Sequence, residues 1–389
     1  MSLFFSNIGR FVFFLYVFLI PLDNVFLFSF GDASHLIGLI AFLLCLIRHN
    51  CLSLLGDKTF YTSLLFLLSC IVSQLLSQQE FNNGFQTIFS YSQLICSAWM
   101  TSLYLEKEKD LNLFGVFFSL GALLGVLLSL TPSYSHYVNY YRSERFFLYG
   151  TDPNEYAFSI ALSCLFVLKH IFIGSKYKTF IYYFLLLLFL HFLLKTGSRS
   201  AVVALVPSAI LCSLLFDKKR LVLLELSSLV LFIVIYLFIA SDNIDLSRFS
   251  NTIFTGDTAN RAEIYPAAFH LFTQKPFFGF GDGLFPFLLG QKVSFQPQEL
   301  SGPYRGLLAH NQVLQLLGAN GLIGFLFFMN FLYQAIKPVF RFLLYPNAKY
   351  LVSAVLLTFI FSMFINVAHL KAFWALVGCC LFFKSRRIK

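Results

Sequence analysis

Runs of about 20 apolar residues, each closed off by charge or by Gly, Pro and Asn, recur along this chain from end to end. In lipid every backbone N–H and C=O must find its partner within the protein, so such runs fold as helices. The strictly alternating pattern of an outer-membrane barrel strand is absent from them. Composition bears on one point: with 58% hydrophobic residues, 12% charged and a mean hydropathy of +0.76, 389 residues carry too little polar surface to coat a soluble globule. The expected class is an all-α polytopic membrane protein.

Candidate spans fall at 11–30, 35–54, 59–77, 84–104, 111–131, 156–174, 179–195, 200–216, 221–240, 311–336, 349–368 and 370–384, twelve in all. The expected organisation is nine helices over 1–240, a large loop over 241–309, and three helices with a tail over 310–389. With the N-terminus inside, 18 of the 28 Lys and Arg face the cytoplasm; of the other ten, five lie in the long loop, where charge says little about orientation. This positive-inside bias places both termini in the cytoplasm. The first run is read as a retained helix, because no small-x-small cleavage site precedes the second. The eight cysteines lie in or beside apolar runs, which argues against a disulfide framework. Topology accounts for the net charge of +10, so no nucleic-acid partner is expected.

Two outer segments are long, 132–155 and 241–309, and loops of that length are functional or contain elements of their own. In the second, Asn260 and Glu263 have capping-box spacing before Ile264, Ala268 and Leu271, while Pro266 is expected to bend or end that helix early. Gly279, Gly281 and Gly283 then supply a tight turn; the segment lacks the strand and βαβ unit of a nucleotide loop.

The basic residues differ in kind between the two sides. The inner set is twelve Lys and six Arg; the outer set is four Lys and six Arg (142, 145, 199, 248, 261 and 305). A guanidinium offers a planar fork of donors suited to phosphate. Arg199, flanked by Ser198 and Ser200, fits either an interfacial arginine snorkelling to headgroups or a phosphate ligand. Arg261 sits where free amides and a helix dipole favour an anion, though a solvated loop-helix charge looks the same. Arg142 and Arg145 flank Glu144, which pairs with either one equally well.

His310 stands where the long loop meets the tenth span, followed by Asn311, whose amide is available for binding, and by Gly318, Gly321 and Gly324, which allow a neighbouring helix to approach closely. Single histidines at helix ends are mostly caps or packing groups. Beside arginines at the outer surface, a neutral imidazole also accepts a proton from a hydroxyl nucleophile. No zinc-ligand cluster, P-loop or nucleophile elbow is present in the sequence.

Gly150–Asn154, Thr196–Ser200, Arg261 with the Pro276–Gly283 turn, and His310-Asn311 followed after nine residues by Gly321-x-x-Gly324 together resemble the O-antigen ligase and polymerase superfamily of bacterial membrane glycosyltransferases. The His310 motif is most similar to the ligases. The resemblance implies a GT-C-like fold of about twelve helices with a large, partly helical periplasmic loop between the ninth and tenth. It also implies an inner-membrane location with the active site on the periplasmic side. The implied donor is an undecaprenyl-pyrophosphate-linked glycan and the implied acceptor is lipid A-core, both reached from the surrounding lipid. His310 corresponds to the residue that activates the acceptor hydroxyl. Arg199 and Arg261 correspond to arginines that hold the pyrophosphate, with Asn311, Ser198, Arg142 and Arg145 in support. The family inverts the anomeric centre and uses neither metal nor cofactor. Tyr265 departs from the pattern, since ligases often carry Trp near that point. An O-antigen or exopolysaccharide polymerase, a protein O-oligosaccharyltransferase and a lipid-linked glycan flippase are the alternatives; the flippase predicts ionisable groups deep in the spans, and few are there.

Overall fold

A computed structural model describes residues 2–28, 31–49, 51–77, 81–131, 135–140, 143–148, 151–174, 176–216, 260–294 and 306–385. The ninth expected span, 221–240, and Arg142, Arg248 and Arg305 lie outside them. The described chain is dominated by helices: α1 Ser2–Leu19, α2 Ala33–Arg48, α3 Lys58–Ser77, α4 Phe81–Tyr104, α5 Glu108–Ser129, α6 Pro153–Ile173, α7 Lys176–Lys195, α8 Arg199–Leu215, α9 Arg261–Gln274, α10 Leu284–Lys292, α11 Gln312–Ile336, α12 Pro346–Ser362 and α13 Lys371–Ser385.

Each of the other eleven expected spans overlaps one of these helices, but 11–30 does so only as far as Leu19, after which the chain passes through a 3-10 turn, Ile20–Leu22, to Leu27–Phe28. By length and composition, five helical segments suffice to cross a membrane: 58–77, 108–129, 153–173, 178–195 and 312–342; four more apolar helices are shorter. Although α4 runs for 24 residues, it carries Gln86, Thr87, Ser90, Ser92, Gln93 and Ser97 and is not among the five. Two small antiparallel pairs qualify the all-helical expectation. Leu27–Phe28 (β1) meets Gly31–Asp32 (β2), and the outer segment 132–155 contains the hairpin of β3 Ser135–Tyr140 and β4 Ser143–Leu148.

The chain divides into two compact units, each assembled from separated segments. The first is Met1–Arg48, Tyr104–Asp257 and Val339–Phe361. Its centre is α6, buried on almost every side, which explains why its sequence shows no polar face. Asp152 caps α6 by accepting from the amides of Asn154 (2.7 Å) and Glu155 (3.3 Å), with Pro153 at the first helical position. Lys169 of α6 is fully buried, its Nζ donating to Asn112 Oδ1 and Asn347 Oδ1, both at 2.9 Å, with the Phe166 ring centroid 4.3 Å away. Asn347 in turn donates to the Glu108 carboxylate at 2.6 Å. Arg10 pairs with buried Asp110, and Arg48 with Glu106.

The second unit is His49–Leu103, Thr258–Pro338 and Ser362–Lys389. Here α11 packs along α3, and aromatic contacts link Phe328 of α11 to Phe66, Phe373 and Trp374. Lys384 of α13 meets Asp57 and Thr59 at the start of α3.

Two expectations about the long loop are corrected. Asn260 stands in the left-handed region (φ 63°) and makes no side-chain cap, so the capping box is not formed; the Glu263 carboxylate instead accepts from Ser294 N and, at 3.0 Å, Ser294 Oγ. Nor does Pro266 end the helix, which runs on to Gln274, because Ile264, Ala268 and Leu271 are anchored in a cluster with Phe280, Leu284, Phe285 and Leu289. That burial outweighs the one backbone bond Pro removes.

Candidate functional site

α11 is a broken helix. Gly321 takes φ 65°, ψ −171°, which interrupts it three turns after it starts. In an unbroken helix the amides of Leu322 and Ile323 would bond the carbonyls of Gly318 and Ala319. Here Leu322 N donates to Pro276 O (2.8 Å) and Ile323 N to Phe277 O (3.2 Å), while Gly318 O accepts from Phe280 N (2.9 Å) and Ala319 O from Gly281 N (2.8 Å). The glycine loop 276–281 thus plugs into the break and exchanges two lost bonds for four, as a buried backbone requires. Ser73 Oγ adds a bond to Ala319 O at 2.6 Å. Glycine is needed on both sides of this joint: a Cβ on Gly279 would lie 2.5 Å from the Ala319 carbonyl, and one on Gly321 2.3 Å from Phe277 O. Of the three glycines expected to admit a neighbouring helix, Gly324 does face Ser69 of α3, whereas Gly318 accommodates the Phe285 ring and Gly321 the loop.

The head of α11 carries the expected histidine. Asn311 is its N-cap, with Oδ1 accepting from Val313 N (3.0 Å) and Leu314 N (3.1 Å), and its Nδ2 donates to Met363 O at 3.0 Å. Both ends of the Asn311 amide are therefore engaged within the protein. His310, half-buried, precedes this cap in the left-handed region (φ 48°). Tyr265 of α9 lies with its hydroxyl 3.2 Å from His310 O and 3.0 Å from Met363 O. Burial pushes that hydroxyl above its ordinary value, partly offset by Arg261, so it is a donor at any working pH. One turn earlier on α9, Arg261 Nη2 donates to Phe364 O at 3.2 Å. Arg261, Tyr265 and Asn311 thus bond the carbonyls of residues 363 and 364, and His310 joins them through its own carbonyl, which accepts from Tyr265.

The apolar run 349–368 predicts a continuous span through residues 363 and 364; the helix stops at Ser362 and the next begins at Lys371. Polar side chains of α11 hold the connection in place. Gln312 Oε1 accepts from Ala368 N (2.8 Å), and Gln315 Oε1 from Ala309 N (3.0 Å) and Asn366 Nδ2 (3.4 Å). Met363, Phe364, Gln312, Gln315 and Asn366 are site residues that the sequence did not single out, and Tyr265 entered it only as a departure from the family pattern. Asn366 and the paired Gln312 and Gln315 were the available signals, being buried amides in apolar surroundings.

Arg199 belongs to the first unit, as the first residue of α8. Gly197 (φ 62°) turns the chain into it. Ser198 Oγ, 1% exposed, donates to Asn154 Oδ1 at 3.1 Å and lies 3.2 Å from Ser200 Oγ. Residues 151–154 and 196–200 therefore meet at the starts of α6 and α8. Arg145 stands on β4 opposite Val138. Among the described residues Asp23, Asp32 and His35 also bring three metal-capable side chains within 4.8 Å, where Asp32 accepts from Ser34 N at 2.9 Å near the start of α2.

Residues 184–329 match the family model for O-antigen ligase. That stretch is similar to O-antigen ligases. No curated protein matches the chain. The matched stretch takes in α8, α9, α10, the head of α11 and its break, and with them Arg199, Arg261 and His310. The family is one of ligase- or polymerase-type membrane enzymes related to glycosyltransferases, acting in lipopolysaccharide biosynthesis on lipid-linked glycans.

Proposed function

We propose that this protein is an O-antigen ligase of the bacterial inner membrane. It transfers a polysaccharide from undecaprenyl pyrophosphate to a sugar hydroxyl of lipid A-core on the periplasmic face. The observation that carries the reading is the family match over 184–329, which contains Arg199, Arg261 and His310; Arg261 bonds the 363–364 carbonyls with Tyr265 and Asn311, and Tyr265 also bonds His310 O.

In this mechanism the His310 imidazole takes the proton of the acceptor hydroxyl while its oxygen attacks the anomeric carbon opposite the leaving group. The bond from that carbon to the pyrophosphate oxygen breaks, its electron pair departs on undecaprenyl pyrophosphate, and the configuration inverts. Arg199 and Arg261 neutralise the charge that develops on the leaving group, a task suited to fixed guanidinium forks. The donor is already activated, so the protein's work is positioning, charge stabilisation and removal of one proton. No metal or organic cofactor enters the proposal. Arg142, Arg145 and Ser198 support the donor site in this reading; Ser198 does so through its bond to Asn154.

Twelve crossings with both termini in the cytoplasm complete the proposal. The ion pairs support it: Arg10–Asp110 and Arg48–Glu106 in one unit, and Lys384–Asp57 in the other, join residues that the charge count assigns to the same side.

His310→Ala should lower transfer by roughly 10²–10⁴-fold with membrane insertion unchanged; ligation near the normal rate in that variant sinks the mechanism. The family's polymerase-type members favour a second reading, in which a growing glycan is the acceptor. A lipopolysaccharide gel from a deletion strain separates the two. Bare core with accumulated lipid-linked polymer supports the ligase, and core bearing a single repeat supports the polymerase.

A further inference from the structure

Asp282 lies at the foot of the glycine loop and is 6% exposed; Asn320, immediately before the break in α11, is fully buried. Asn320 Nδ2 donates to Asp282 Oδ1 at 3.4 Å. The other oxygen of each side chain, Asp282 Oδ2 and Asn320 Oδ1, is enclosed and meets no donor. Two buried acceptors left bare are costly, and an ionised carboxylate makes the cost worse. A carboxylic acid and a primary amide are complementary, however: one proton on Oδ2 satisfies both bare oxygens at once and closes a ring of two hydrogen bonds.

The surroundings favour that proton. Burial raises the Asp282 carboxyl from 3.8 to about 7, offset only in part by the Asn320 bond. Its titratable neighbours are Tyr91 of α4 and Cys70 of α3, both ordinarily neutral at pH 7. The charged group on its own loop, Lys275, has its Nζ 4.9 Å from the Phe280 ring centroid. On α3, Gln74 Oε1 accepts from Gly283 N (3.1 Å), and the hydroxyls of Ser69, Ser73 and Ser77 are spent on backbone carbonyls.

We propose that Asp282 carries its proton in the folded protein and closes with Asn320 an acid–amide clamp that fastens the glycine loop into the break of α11, making Asp282 a positioning residue for His310 at the head of that helix. The loop is continuous with α9, so the clamp fixes α9, and with it Tyr265 and Arg261, against the helix that presents His310. The positioning role rests on His310 being the base; the proton and the clamp do not.

The sign of the pH effect follows from the raised value. Stability contributed by Asp282 is complete below about pH 4 and is lost as pH rises through about 7. Asp282→Asn replaces the acid by an amide that can make the same two bonds without titrating. In the full-length protein in detergent, infrared difference spectra should show the carbonyl stretch of a protonated carboxyl at about pH 6, fading by about pH 8 and missing from D282N. Identical wild-type and D282N spectra at about pH 6 overturn the proton assignment. The wild-type melting temperature should fall relative to that of D282N over the same pH range; a constant difference overturns the clamp. For transfer, wild-type kcat should drop relative to D282N by about tenfold one pH unit above the midpoint, where ionised carboxyls outnumber protonated ones tenfold, with KM for the acceptor unchanged. Parallel pH profiles overturn the positioning role. If the wild type transfers nothing under any condition, the ligase reading fails, while the spectra and melting curves still decide the clamp.

Discussion

α6 and α11 begin alike and end as different objects. Each is capped by an Asx side chain that accepts two backbone amides, Asp152 for Asn154 and Glu155, Asn311 for Val313 and Leu314. After its cap α6 runs unbroken and buried, its backbone satisfied within itself. α11 is broken at Gly321, borrows bonds from a loop some 40 residues earlier in the chain, and is preceded by a histidine in the left-handed region. A self-contained helix serves as a post for its neighbours, whereas one that needs a loop to complete it is tied to whatever that loop carries, and here it carries the helix of Arg261 and Tyr265. Local strain of this sort is tolerated where the surroundings over-determine it, and it gathers at sites of function.

The contrast can be broken at its weakest joint. Gly321→Val sets a branched side chain at positive φ, costing about 1–2 kcal/mol in the backbone alone, and its Cβ would lie 2.3 Å from Phe277 O. Folded protein on size-exclusion chromatography should be largely lost; a wild-type elution profile and melting curve would mean that the loop does not complete the helix. The caps sharpen the difference. Asn311→Asp keeps the cap but turns the donor facing Met363 O into a second acceptor, and about a tenfold fall in transfer is expected, near 1.4 kcal/mol. The mirror exchange, Asp152→Asn, should shift the melting curve by only a few tenths of a kcal/mol, since both residues cap well; equal losses from the two exchanges would erase the distinction. Between these lies Tyr265→Phe, which removes about 1 kcal/mol of hydrogen bonding to His310 O and Met363 O. It should lower kcat roughly fivefold at constant KM, and a change confined to KM would tie the hydroxyl to substrate instead.

What could be read from the sequence was whatever depends on neighbours along the chain. Apolar runs marked the helices, and the guanidinium and imidazole side chains marked the candidate site. What stayed hidden depends on partners far away. The Gly321-x-x-Gly324 spacing suits close helix packing as well as it suits a break, and only the 276–281 backbone decides between them. The 363–370 connection is apolar and free of Gly and Pro, so hydropathy reads straight through it; Asn366 was its one polar interruption before His369. Glu263 had capping spacing, but the Ser294 amide and hydroxyl took its carboxylate first.

Lys169 bears on how such a chain is built. Of the two asparagines that share its ammonium group, Asn112 leaves the ribosome before it and Asn347 only 178 residues later. For nearly half the period of synthesis the nascent α6 carries a cation with half of its final asparagine ligands. The bonds around Lys169 are therefore complete only once α12 has been made.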